Sequence, residues 1–274
     1  MQTTASLWEL LCRDFELERR GAKAEQCHGI ALRFLQAAKR VLRSESPRLC
    51  DAFEIAGDAC QAAGCLPDAT ANFEEALSKS LLLGSTPSAA RLAAKLALVR
   101  DLVGELPEAR FRYEQALSLY EAVRDYSRHV MLLNQLGTLC KLAGDFAAME
   151  ANYRRAMEVA IHLHDPNHPE VASAANNLGV AYTEAHDFLS AENLHMQALA
   201  IREKCFGAMH PDVAQSMANL AVVYHASGNY QKALAFYTGA LKIYKCFRES
   251  DDPEMQTVIA NHVALLEEAG TKPS

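Results

Sequence analysis

The 274-residue chain is 50% hydrophobic but only 7% aromatic, and its 27 basic and 34 acidic residues leave a formal net charge of −7. That balance, with no lysine- or arginine-rich tract, argues against nucleic acid and anionic membrane as partners, because both select clustered positive charge. No apolar run approaches the roughly 18 residues of a membrane span, so no membrane insertion is expected.

In chain order, Glu9, Arg13 and Asp14 break up the apolar residues of the first segment, which therefore does not read as a secretory leader. Residues 1–45 read as two helices, about 6–19 and 23–43, with Trp8 and Phe34 in their core: a divergent N-terminal pair or cap. Beyond them the chain is punctuated at a fixed period. Pro47, Pro87, Pro169, Pro211 and Pro253 are 40, 82, 42 and 42 residues apart, and Ser127 stands at the one vacant site. Proline suits the first turn of a helix, where its missing N–H is not needed, and the acids in Pro169-Glu170, Pro211-Asp212 and Pro253-Glu254 suit the positive end of the dipole.

Ten residues after each of these sites stands a small residue: Gly57, Ala97, Gly137, Gly179 and Ala221, with Val263 departing. Seven further on comes a break between two helices at Gly64, Gly104, Gly144, Gly228 and Gly270, with His186 in the fourth repeat. The second helix of each pair then carries small residues at Ala69, Ala109, Ala191 and Ala233 (Met149 the outlier) and at Ala76, Ala116, Ala156, Ala198 and Ala240. Between them stands a ring, Phe73, Tyr113, Tyr153, His195 or Tyr237, expected to fill the space between neighbouring pairs. A generic bundle shows a 3.6-residue period but has no reason to repeat small, ring and break positions in fixed order.

This is the tetratricopeptide pattern, and the chain is identified on it as all-α, a right-handed α-solenoid. Five repeats are expected at about 46–85, 86–125, 126–165, 168–207 and 210–248. Their helix pairs fall near 48–63/67–83, 88–103/107–124, 128–143/147–163, 170–185/189–205 and 212–227/231–247. A polar capping helix follows within 252–270, then a tail at 271–274. The eight cysteines, at 12, 27, 50, 60, 65, 140, 205 and 246, are irregularly spaced without a CxxC. They read as reduced residues of a cytoplasmic protein rather than a disulfide framework or zinc site.

Residues 198–244, ALAIREKCFGAMHPDVAQSMANLAVVYHASGNYQKALAFYTGALKIY, resemble the 42-residue repeats of kinesin light chains, as does HDPNHPEVASAANNLGVAY before them. The resemblance implies recognition of a short peptide on the concave surface of the stack. Kinesin light chains carry a long heptad segment before their repeats, and here repeats are expected to begin close to Met1, so motor association is not implied. In tetratricopeptide stacks the first (A) helices line the inner face, and the residue two before the small position points into it. That position reads Ile55, Lys95, Gln135, Asn177, Asn219 and Asn261.

Four carboxamides in succession, with Asn134 and Asn176 one residue earlier, can grip the backbone of an extended guest, because each amide offers a donor and an acceptor. The competing reading is that they bond neighbouring helices or hold water. Asp51, Glu54 and Asp58 make the first A helix acidic. Arg91 and Lys95 make the second basic, either to meet an acidic side chain of the guest or to form internal ion pairs, and Lys141 and His225 add charge further along. The row does not reproduce the lysine-asparagine-lysine-arginine clamp of tetratricopeptide co-chaperones. His162, His164 and His168 cluster with Asp165 in a linker between Pro166 and Pro169 and read as loop and cap residues, and His195 reads as a core ring. No GxSxG, HExxH, GxGxxG or phosphate-cradling loop occurs, so no enzyme activity, cofactor or metal is expected. The function expected is a non-enzymatic adaptor that binds a protein or peptide segment in the groove; the alternative is a permanent structural subunit of a larger cytoskeletal, ciliary or trafficking assembly.

Overall fold

The computed structural model describes residues 4–20, 22–249 and 251–271, and the described residues form thirteen α-helices and no strand. They are α1 (Thr4–Arg19), α2 (Ala24–Val41), α3 (Pro47–Ala62), α4 (Leu66–Leu82), α5 (Thr86–Val103), α6 (Leu106–Ala122) and α7 (Tyr126–Leu142). There follow α8 (Phe146–Leu163), α9 (Pro169–Glu184), α10 (Phe188–Phe206), α11 (Pro211–Ala226), α12 (Tyr230–Phe247) and α13 (Pro253–Thr271). The expected boundaries hold to within a few residues. The last helix runs a turn past its expected end, and tail residues 272–274 lie outside the described residues.

The chain forms two compact units, one up to Leu132 and one from Leu133 onward. In the first, α3 packs on α4, α4 on α5 and α5 on α6; in the second, α8 packs on α9, α9 on α10, α10 on α11, α11 on α12 and α12 on α13. Within each unit these helices thus lie against their chain neighbours, the arrangement of stacked helical hairpins. In the second unit α11 also touches α9 and α13, which brings the A helices into one layer.

Local chemistry starts and stops the helices where the punctuation predicted. Proline opens α3, α9 and α11, and the imidazoles of His168 and His210 cap the latter two, accepting from the backbone N–H of Glu170 and Asp212. Among the B helices, α8, α10 and α12 are capped by Asp145, Asp187 and Asn229, whereas α4 and α6 have no side-chain cap and carry proline in the first turn instead. The turn within a pair needs a left-handed residue: Gly104 has φ +85° and Gly228 +80°, and His186 accepts the same region at +59°. Gly270 does not follow the rule, because α13 continues through it and no partner helix follows among the described residues.

The ring position adds a contact to the expected packing: in three repeats the ring lies on the glycine of its own pair, while Phe73 and Tyr237 also meet the next A helix, at Lys95 and His262. A Cβ placed on Gly57 would come within 2.5 Å of Phe73, one on Gly137 within 2.4 Å of Tyr153, and one on Gly179 within 2.8 Å of His195. The alanines of the B helices, Ala69, Ala76, Ala109, Ala116, Ala156, Ala191, Ala198, Ala233 and Ala240, are fully buried, and Met149 fills its alanine-type site without exposure. Val263 is 46% exposed, and no ring is pressed onto it among the described residues.

Candidate functional site

On the A-helix face of the second unit the amides form an ordered relay. Asn177 Nδ2 on α9 donates to Asn134 Oδ1 on α7 at 3.0 Å, and one repeat later Asn219 Nδ2 on α11 donates to Asn176 Oδ1 on α9 at 2.9 Å. The row two before the small position therefore donates to the row three before it in the preceding repeat. The relay then stops, because the next acceptor position is Ala218. Asn261 on α13 and, at the other end, Gln135 on α7 are half-buried with no hydrogen bond to their side chains among the described residues.

This polarity decides what the face can offer. Asn177 and Asn219 each spend one amide hydrogen on the relay and keep the second together with the Oδ1 acceptor, while Gln135 and Asn261 keep both functions in full. The surface therefore offers free acceptors for a guest N–H beside its remaining donors. Thr138 Oγ1, one residue past the small position of α7, bonds the Tyr153 hydroxyl at 3.0 Å, and Val180 and Val222 hold the equivalent places on α9 and α11, half-buried beside the amides.

His195 ties this surface to the core. Its Nδ1 lies 3.1 Å from Asn176 Oδ1, the same oxygen that accepts from Asn219, so the neutral ring carries its proton on Nδ1. Burial pushes the imidazole down to about 4, with a smaller push from the Arg202 guanidinium, which keeps it uncharged at neutral pH. The sequence reading recognised His195 as a core ring but missed its link to the amides; the signal was its ring register against an asparagine in the middle of the same repeat's A helix. Arg202 itself is buried, donating to Asp212 O at 3.0 Å and to Ser216 Oγ at 2.8 Å, and so fastens α10 to α11.

The charged candidates are engaged internally. Within the first unit Arg91 clasps Glu54 with Nε and Nη2, each at 2.8 Å, and Lys95 Nζ meets Asp58 at 2.6 and 2.7 Å and Glu54 at 2.9 Å. Burial would push the Glu54 carboxyl up, but hydrogen bonds from Arg91 and then Lys95 outweigh it and hold it below the usual value. Of the two uses read from the sequence, the structure places Arg91 and Lys95 in the internal ion pairs, so an acidic guest would have to displace a bidentate contact. In the second unit Lys141 pairs with Glu184 at 2.7 Å and His225 with Glu268 at 3.3 Å, which link α7 to α9 and α11 to α13.

The linker histidines act as local ties. His164 Nε2 meets Glu170 Oε2 at 2.7 Å, and its ring stacks on His168 at 3.9 Å with 9° between planes. Candidate ligand atoms of His164, His168 and Glu170 lie within 4.8 Å of one another, but near-parallel rings point their in-plane lone pairs side by side rather than at one ion. Cys50, Cys60 and Cys140 are buried free thiols, and burial pushes the first two up to about 11. No helix among the described residues is long and apolar enough to cross a membrane.

Comparison with known proteins agrees with this geometry. The sequence profile of the tetratricopeptide repeat matches residues 128–204 and 185–245. The crystal structure of BtubC (BKLC) from P. vanneervenii superposes with a TM-score of 0.70 at 29% identity, over 82% of this chain and 92% of that one. The apo form of RapI aligns with a TM-score of 0.78 over 97% of this chain and 77% of its own, and at 16% identity it speaks for the fold alone. So does the STAND protein PH0952 from Pyrococcus horikoshii, which has a tetratricopeptide repeat sensor: TM-score 0.73, 15% identity, 98% of this chain but 39% of that one. A search of curated proteins gives no match. Glycine and ring in register, a left-handed turn within each pair and the matched profile together show that residues 128–245 are tetratricopeptide repeats, and the helical hairpins before them are similar to those of tetratricopeptide-repeat structures.

Proposed function

We propose that the chain is a non-enzymatic interaction module whose second unit holds an extended segment of a partner protein across the A-helix face. Tetratricopeptide repeats generally mediate protein–protein interaction. The observation that supports this face in particular is the polarity of the relay: the internal bonds consume donors of Asn177 and Asn219 and leave carbonyl oxygens, flanked by the unpaired amides of Gln135 and Asn261. An extended backbone supplies N–H groups at a spacing that such a row can accept, independent of side-chain sequence. Each bond contributes about 0.5–1.5 kcal/mol net, so several acting together are needed for useful affinity.

Because Gln135 and Asn261 have no internal partner, the double variant Gln135→Ala/Asn261→Ala separates binding from folding. A random dodecapeptide library is selected on the full chain, and the enriched peptides are titrated against wild type and variant. The proposal expects affinity to fall at least about tenfold, two lost bonds at about 0.7 kcal/mol each, with thermal unfolding unchanged. Failure to enrich any peptide, or equal affinity for the variant, removes this face from the account. The alternative, a permanent subunit of a larger assembly, draws support from Leu142, Phe146 and Leu189, which are 67%, 51% and 72% exposed near the turns within their pairs. Obligate co-purification with fixed partners would favour it.

A further inference from the structure

In the first unit, α2, α3 and α4 border an open cavity of about 420 Å³ lined by Lys39, Leu42, Leu49, Phe53, Glu75 and Lys79, with Ser44 at its rim. Two ammonium groups converge on it: Lys39 Nζ lies 4.8 Å and Lys79 Nζ 5.7 Å from the centroid of the same Phe53 ring. Like charges gathered at one ring repel, and the usual remedy is a carboxylate between them. The carboxylate in the lining, Glu75, pairs with neither: Lys79 reaches only the Ser44 carbonyl, at 3.4 Å, and neither lysine has an ion-pair partner among the described residues. The start of α3 adds to the positive field. It has no acid in its first turn and no side-chain cap, whereas α9 and α11 carry Glu170 and Asp212 at the same place. The chain around the cavity is itself basic, with Lys39, Arg40, Arg43 and Arg48 against Glu45, a local excess hidden by the overall charge of −7.

We infer that this cavity is a second binding site, which takes an acidic side chain of a partner polypeptide. The carboxylate would be held between Lys39 and Lys79, with its methylene stem on Phe53, Leu42 and Leu49. The apolar floor favours a carboxylate on a hydrocarbon stem over a bare inorganic anion, and a hollow of this size favours a single side chain over a lipid surface. Glu75 opposes the ligand and so sets its affinity.

The test titrates the ¹⁵N-labelled full chain with acetyl-Glu-Glu-Glu-amide and, separately, with inorganic phosphate, reading the amide signals of Ser44, Leu49, Phe53 and Lys79. The peptide should give saturable shifts at lower concentration than phosphate. Lys39→Gln/Lys79→Gln should weaken it at least about tenfold, as for loss of charge-assisted contacts, with unfolding temperature unchanged. Glu75→Gln, which leaves both lysines in place, should strengthen it severalfold. Shifts with phosphate but not peptide, equal affinity in the lysine double variant, no response to Glu75→Gln, or lysine-dependent binding to phosphatidylserine vesicles without peptide binding would each overturn the assignment. The site shares no residue with the relay on the second unit, so the two proposals stand or fall separately.

Discussion

Gly137→Ala measures the central packing contact directly. In the middle of an exposed helix, alanine in place of glycine stabilises by about 1 kcal/mol through backbone entropy. At position 137 the new Cβ would sit 2.4 Å from Tyr153 Cε1, 2.6 Å from Cδ1 and 2.9 Å from Cζ, so the ring must retreat by about 1 Å to reach ordinary contact. Tyr153 has little freedom to do so, being 4% exposed and held through its hydroxyl to Thr138. Overpacking of this kind costs about 1–3 kcal/mol, and with Tyr153 pinned the upper half of that range applies, which leaves a net loss of about 1–2 kcal/mol after the propensity gain. Gly29→Ala on α2 is the control: its Cβ would meet nothing nearer than Arg33 Nη1 at 3.8 Å, so it should stabilise by about 0.5–1 kcal/mol. Because stacked repeats open locally, the assay is native-state hydrogen exchange of the α7 and α8 amides beside thermal unfolding. In a Tyr153→Leu background, where the ring is gone, Gly137→Ala should lose its penalty, a coupling that a double-mutant cycle reads. If Gly137→Ala stabilised the protein as Gly29→Ala does, the ring-on-glycine account would be wrong.

Two pH-linked outcomes follow from buried groups. Glu54 has its folded value held below the ordinary 4.5, so its contribution is complete above that value and is lost as pH falls through the lower folded one. Glu54→Gln should lower stability at pH 7 by about 2 kcal/mol, less than for a fully buried pair, and should flatten the acid limb of α3–α5 unfolding; an unchanged acid limb would show that the Arg91 clasp contributes nothing. His195 has the opposite sense of charge. Its folded value of about 4 lies below the ordinary 6.5, so the unfolded chain binds a proton that the folded ring refuses, and stability is full above pH 6.5 and declines as pH falls from 6.5 toward 4. The protein should be about 2 kcal/mol less stable at pH 5 than at pH 8 from this group, and His195→Phe should lack that component; equal pH dependence in both proteins would place the imidazole in a wetter site.

What was legible in the sequence was whatever recurs along it. Proline, small residue, turn glycine and ring each answer a local or nearest-neighbour demand, so their spacing predicted the helix pairs to within a few residues, whereas His186, an exception in the sequence, proved left-handed only in the structure. The amide positions Gln135, Asn177, Asn219 and Asn261 were legible for the same reason. What tertiary structure alone decided was how these groups use one another. Whether a ring packs on its own pair's glycine, on the next pair or on both depends on helix crossing, which the 40- to 42-residue period does not encode. Whether Arg91 and Lys95 face a guest or Glu54 and Asp58 depends on two A helices coming within reach across 37 residues of chain, and the gathering of Lys39 and Lys79 on Phe53 depends on three helices meeting. Periodicity fixes the direction of a side chain from its own helix; its partner is set by distances between helices, and those exist only once the stack has formed.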